Sequence, residues 1–216
     1  MFYNDTLDRV LRFGDVLRGF IKTEPIFNDP ILNLEKKIKY NINISIPKFS
    51  VVLTPCCSIG PSIITLTPLT RILSKFMKNP YFAEDMTRIN RTVEIPKNKF
   101  APDDWEKLSP EERFKHVEQG ESYSNIKYYI YAENENFVPY ELKGNRIGFY
   151  MIDFTRSYHI NCSNIKKEGK IKGNLLDSKV LQLSIESREQ LRNKIAFYYY
   201  RIPEEDKIEV SKLTES

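Results

Sequence analysis

The side chains that most often carry catalysis or bind metals are scarce in this sequence: its 216 residues include two histidines, three cysteines and one tryptophan. His116 and His159 are far apart in the chain and no CxxC or HxxxH spacing occurs, so a zinc site lacks its ligands, and neither a metal nor a cofactor is expected. An odd number of cysteines, two of them adjacent at Cys56 and Cys57, argues against a disulfide framework and for three free thiols. The patterns GxxxxGK[ST], GxGxxG, GxSxG and HExxH are missing, which removes the usual sequence support for P-loop hydrolysis, dinucleotide binding, α/β-hydrolase chemistry and zinc proteolysis. No apolar run approaches the ~20 residues of a membrane span. The opening MFYNDTLDRVLRFGD carries charge throughout, unlike a signal peptide. A cytoplasmic protein without a membrane segment is the expectation.

What the sequence does contain is enough apolar material for a core, with 41% hydrophobic, 12% aromatic and 29% charged residues. Its 33 Lys and Arg against 29 Asp and Glu give a net charge of +4, which permits an acidic partner such as RNA. Lys and Glu alternate over much of the chain, however, as on an ordinary solvated face, so charge alone selects no partner.

Along the chain, Leu7, Val10 and Leu11 at near-helical spacing behind Asp5 or Thr6 predict a short helix within 1–13 that ends at Gly14. DVLRGFI (15–21) reads as a strand and the proline-punctuated TEPIFNDPILN as a break. Residues 37–46 alternate Ile38, Tyr40, Ile42, Ile44 and Ile46 with polar partners, the pattern of a strand. Strands also read from 50–55 and 62–70, with a Gly60–Pro61 turn between them. Four strands in so short a stretch with no helix between them point to a small antiparallel barrel at 13–72. Residues 73–216 then elaborate it within one domain. One or two short helices are expected in 71–92, and a helix over 109–120 opens with Ser109, Pro110 and Glu112 as a capping box. Strands at 126–132 and 146–154 should extend the sheet through the Gly144–Asn145 turn. A basic loop spans 166–174, and an amphipathic helix over 187–202 carries Leu191, Ile195, Tyr198 and Tyr199 on its apolar stripe. The fold class is therefore α+β, mostly β.

Three segments in order, FGDVLRGF (13–20), FSVVLTPCC (49–57) and SIITLTPLTR (62–71), resemble the PemK/MazF-like toxins. The resemblance covers the N-terminal third and implies an SH3-like barrel. Members of that family commonly cleave single-stranded RNA without a metal, so it also implies a toxin-like, RNA-directed role in bacterial stress or phage defence, as an endoribonuclease with an antitoxin or complex subunit as protein partner. Carried over by position, it assigns Thr70 at the end of the third segment, with Arg71, Lys48 and Arg18 as candidate catalytic groups around it. Such chemistry needs a donor or cation for the phosphorane charge and a base for the attacking 2′-hydroxyl. Where these toxins often carry an arginine before the second segment, this chain has Pro47-Lys48-Phe49. Lysine lacks the planar fork that grips phosphate. That departure keeps a second reading open, a non-catalytic interaction module or subunit of a larger complex built on the same barrel.

Three further groups have two readings each. Cys56 or Cys57 reads as a reactive thiol or a small apolar residue. His159, near Asp153 and Arg156 in the sequence, reads as an acid or base or as a structural histidine. Tyr128, Tyr129, Tyr131, Tyr198, Tyr199 and Tyr200 read as stacking platforms for bases or as core.

Overall fold

The computed structural model describes residues 1–19, 22–26, 41–54, 63–78, 82, 85–91, 107–118, 127–161 and 175–199. Cys56, Cys57, Cys162, the Gly60–Pro61 turn, the loop 166–174 and Tyr200 lie outside them. In chain order the strands are β1 (Val16–Arg18), β2 (Lys22–Ile26), β3 (Asn41–Ser45), β4 (Phe49–Val52), β5 (Ile63–Pro68), β6 (Thr70–Arg71), β7 (Tyr128–Tyr131), β8 (Tyr140–Leu142), β9 (Asn145–Ile147), β10 (Tyr150–Asp153), β11 (Tyr158–Asn161) and β12 (Lys179–Leu181). Helix α1 spans Pro110–Glu118 and α2 spans Ile185–Tyr199, with 3-10 turns at Phe76–Lys78, Met86–Asn90, Phe154–Arg156 and Leu175–Ser178. The protein is α+β and mostly strand, as expected. Among the described residues, no helix is long and apolar enough to cross a membrane.

Five strands form an antiparallel sheet in the order β11-β5-β4-β1-β12, and three more form a second, β6-β10-β7. The edge strands β11 and β12 do not pair with each other, so the sheet is open. The two sheets are joined at two corners. β5 passes through Leu69 into β6, which pairs with β10, and β10 passes through a 3-10 turn into β11, which pairs with β5. Strands that switch sheets at bends are how orthogonally packed sheets make their corners.

Alternation along β1 and β4 divides the core. Val16, Phe49 and Val51 face a large cluster with Tyr129, Tyr131, Ile152, Phe154 and Leu191, while Leu17 and Val52 face a smaller one with Leu11, Ile64, Leu66 and Leu175. The tyrosines of β7 belong to this core. Tyr131 is fully buried and donates to the Gly14 carbonyl at 3.0 Å, and Tyr129 donates to that of Ser187 at 2.8 Å. Burial raises both phenols, so they stay protonated and serve packing rather than base stacking. The outer edge of β7 is covered by the wholly buried Asn90, whose Oδ1 accepts from Ile130 N at 2.6 Å and whose Nδ2 donates to Ile130 O at 2.7 Å.

Several expectations are corrected. Residues 1–13 contain no helix; residues 2–4 run extended against 182–184, with Asn4 N donating to Gln182 O and Ser184 N to Phe2 O. Phe2 packs edge-on against Tyr3 and Tyr131 and at a tilt against Tyr129, and that packing holds the segment extended while Leu7 and Val10 stay exposed. The break at TEPIFNDPILN is partly strand, because Lys22–Ile26 pairs with Asn41–Ser45 in a separate two-stranded ribbon where Pro25 is tolerated. The span 146–154 is interrupted at Gly148, where a Cβ would lie 2.9 Å from the Glu133 carboxyl. The turn near 144 joins β8 to β9 through Lys143 and Gly144, at φ 50° and 79°, as a two-residue hairpin loop requires. The capping box is present as expected, with Ser109 N donating to Glu112 Oε2 at 2.8 Å.

Helix α2 begins at a Ser184 cap that accepts from Ser187 N at 3.2 Å. Its stripe differs from the expected one: Leu191 is buried, Ile195 and Tyr198 are half-buried and Tyr199 is exposed, while Ser187, Arg188 and Lys194 lie in the interior. Arg188 Nη2 donates to Leu183 O, and Lys194 Nζ to Ile89 O. Their methylene stems fill the space that an apolar residue would. Burial pushes the Lys194 amine down to about 7. In the unfolded chain the amine keeps its proton up to its ordinary 10.5, so between these values the unfolded state carries the extra proton and stability rises with pH. Urea unfolding should therefore show stability increasing from pH 7 to 9, by at most ~1.4 kcal/mol per pH unit. Lys194→Met should remove that rise; a variant that tracks the parent across the window would contradict the buried amine.

Candidate nucleic-acid interface

The four residues assigned by resemblance lie near one end of the five-stranded sheet, Arg18 on β1, Lys48 just before β4, and Thr70 and Arg71 past the corner on β6. Arg18 is paired with Phe49 across β1 and β4, Gly19 N donates to Lys48 O at 2.9 Å, and Leu69 N donates to Phe49 O at 2.9 Å. Arg18, Phe49 and Leu69 thus form one row across three strands, spanning roughly 10 Å at two inter-strand spacings. Lys48 and Thr70 each lie one residue beyond the row, and Arg71 two. Arg18, Lys48 and Arg71 are exposed, and Thr70 is half-buried.

Their surroundings differ. Lys48 Nζ lies 5.5 Å from the centre of the Phe49 ring. The Arg71 guanidinium lies 4.9 Å over the Tyr140 ring, which packs edge-on against Tyr150 at 5.4 Å. Tyr140 itself is fixed at both ends of its hydroxyl, accepting from Ile72 N and donating to Phe149 O, each at 2.8 Å. Burial pushes this phenol up to about 12, against the opposing pull of the Ile72 N–H and of Arg71. The result is an exposed guanidinium over a ring that is itself held in place. No signal within 62–71 discloses this, because the ring that supports Arg71 comes from a strand 69 residues later.

The hydroxyl of Thr70 is engaged, donating to Met151 O at 3.3 Å. Asp153, two residues along β10 from Met151, spends Oδ1 on the amide and hydroxyl of Thr155 at 2.9 and 2.6 Å. His159 is opposite Thr65, with Nδ1 3.0 Å from Thr65 Oγ1, on β5 and five residues before Thr70, which lies past the corner on β6. A base placed beside Thr70 to take the proton of an attacking 2′-hydroxyl is not supplied by these groups. No set of three His, Cys, Asp or Glu side chains among the described residues is placed to hold a metal ion. A cleft of about 580 Å³ is lined by Tyr3, Asp5, Glu133, Glu135 and Val180, among others. Its charge is wrong for a phosphate ligand, and none of the four residues lines it.

One sequence signal does point to the interface. Between Glu35 and Glu84 there is no carboxylate at all, while Lys36, Lys37, Lys39, Lys48, Arg71, Lys75 and Lys78 all fall there. The net charge of +4 hides this segregation. Comparison with protein-family models, curated proteins and solved structures finds no match.

Because Arg71 is exposed and Thr70 makes one long hydrogen bond, Arg71→Ala and Thr70→Val should each change the unfolding free energy by no more than ~1 kcal/mol. A loss above ~2 kcal/mol in chemical denaturation would mean that the cluster is structural and not a surface for a ligand.

Proposed function

We propose that the chain is an RNA-directed protein, toxin-like in the sense of its resemblance and acting in the cytoplasm, that holds the phosphates of single-stranded RNA with Arg18, Lys48 and Arg71 and binds without cutting. The observation that carries this reading is the acid-free stretch from Lys36 to Ala83, which delivers Lys48 and Arg71 to the strand ends beside Arg18. Exposed cations at strand ends, one of them stacked on a ring, are what a single-stranded phosphate backbone and its bases use. The engaged hydroxyl of Thr70 and the pairing of His159 with Thr65 on β5, away from β6, favour binding over an endoribonuclease. Two sheets sharing two corners support the fold as an opened relative of an SH3-like barrel. The second reading, an interaction module with a protein partner, keeps the same exposed rim and needs no RNA.

Titration of a fluorescent single-stranded RNA over roughly 50 to 200 mM salt should give a log–log slope of about −0.7 per phosphate contact. Replacing Arg18, Lys48 and Arg71 together with Ala should reduce that slope by about 2, and the RNA should remain full length in both magnesium and EDTA. Cleavage in EDTA that Thr70→Ala abolishes would restore the endoribonuclease, and a salt-independent or absent interaction would remove RNA in favour of the interaction module.

A further inference from the structure

The ribbon β2–β3 extends the β1–β4 pair past a tight crossing. At Gly19 a Cβ would lie 2.5 Å from the Pro47 carbonyl oxygen, so the two strands approach more closely there than a side chain allows. Beyond it every residue of the chain from Ile42 to Ile46 is exposed, on both faces of β3. Ile42, Ile44 and Ile46 alternate and therefore share one face, at 59%, 63% and 71% exposure. In register with Ile42 and Ile44 are Pro25 and Thr23, neither charged. A two-stranded ribbon has no second layer to bury such a face, and a cluster of exposed apolar residues on a projecting element marks an interaction site.

The charges around it select the partner. Lys36, Lys37 and Lys39 precede the isoleucines in sequence and Lys48 follows them, with no acid between. A second copy is disfavoured, because the lysines that flank the isoleucines in sequence give two such arms the same sign of charge. RNA has no use for three isoleucine side chains. An exposed apolar face with lysines on both sides of it in sequence fits an anionic lipid surface, with the isoleucines at the acyl boundary and cations among the headgroups. We propose that the β2–β3 ribbon docks the protein on anionic membranes through Ile42, Ile44 and Ile46, an activity separate from RNA binding at the strand ends.

The test is cosedimentation of the full chain with vesicles of phosphatidylcholine alone and with about one-third phosphatidylserine, the content at which polybasic segments bind strongly. Binding is expected to the anionic vesicles, at least ~10-fold above the neutral ones, and to fall at least ~10-fold in Ile42→Ser/Ile44→Ser/Ile46→Ser, with RNA affinity and melting temperature unchanged. In a Trp105→Phe background, Ile44→Trp should give an indole emission that shifts to the blue on anionic vesicles and is quenched by brominated acyl chains. The proposal is overturned if the chain ignores anionic vesicles, if the triple variant binds them as well as the parent, if the indole emission of the Ile44→Trp variant stays solvent-like, or if the triple variant instead loses RNA or converts a dimer to a monomer in light scattering.

Discussion

The Asp15 carboxylate is fully buried at the start of β1, and its Oδ2 lies 2.9 Å from the Lys179 ammonium, itself buried on β12. Desolvation pushes this carboxyl up, against the opposing pull of Lys179, the Arg12 amide and Arg188. The same ammonium reaches Asp8 Oδ1 at 3.0 Å, the Val10 carbonyl at 2.7 Å and Gln182 Oε1 at 2.6 Å, tying the N-terminal loop to the sheet. A buried ion pair contributes little net stability against an apolar replacement, but breaking one partner strands a charge. Its effect here is positional. With β1 held between β12 and β4 at one end, its register runs from Val16 opposite Val51 to Arg18 opposite Phe49, and the chain leaves the sheet at Gly19. The placement of Arg18 beside Lys48 and the ribbon beyond them both depend on that register.

Asp8 shows how such a network overrides local preference. Burial pushes its carboxyl up, but hydrogen bonds from Arg12, Lys179 and the Val10 amide outweigh this and hold it well below the usual carboxylate range. Those bonds bend residues 8–12 into a turn, where the spacing of Leu7, Val10 and Leu11 suggested a helix. Features set by neighbours in sequence were legible: the Ser109–Glu112 box, the alternation that ends in β3, and the consecutive apolar residues of β4, which face a core on each side, whereas β5 gives Ile64 and Leu66 to the smaller cluster and leaves Ile63 exposed. Features set across the fold were not. Lys194 and Arg188 look like solvent residues on a helical wheel and are interior, and Pro25 looked like a break yet sits in a ribbon that needs few of its amides. At the site, the order of segments placed Arg18, Lys48 and Thr70 near one another because adjacent strands end together. The support of Arg71 by Tyr140 required the second sheet.

The two exposed features at this end of the molecule have different chemistry. The cations lie on a rim backed by the main core, where a polyanion gains charge contacts without disturbing packing. The isoleucines lie on an arm that no other part of the described chain covers. Gly19 is where the two meet, and it fixes how the arm leaves the body. A protein that carries RNA at the rim and rests on lipid through the arm would bring its RNA to the membrane surface.

Photo-crosslinking tests the rim most directly. Single-stranded RNA carrying 4-thiouridine, irradiated with the full chain and analysed by mass spectrometry, should attach to peptides containing Arg18–Gly19, Lys48–Phe49 and Arg71–Ile72, and excess unlabelled RNA should compete the adducts away. Adducts confined to α1, to α2 or to the acidic cleft around Glu133, with the three rim peptides unmodified, would contradict the placement of RNA at the strand ends.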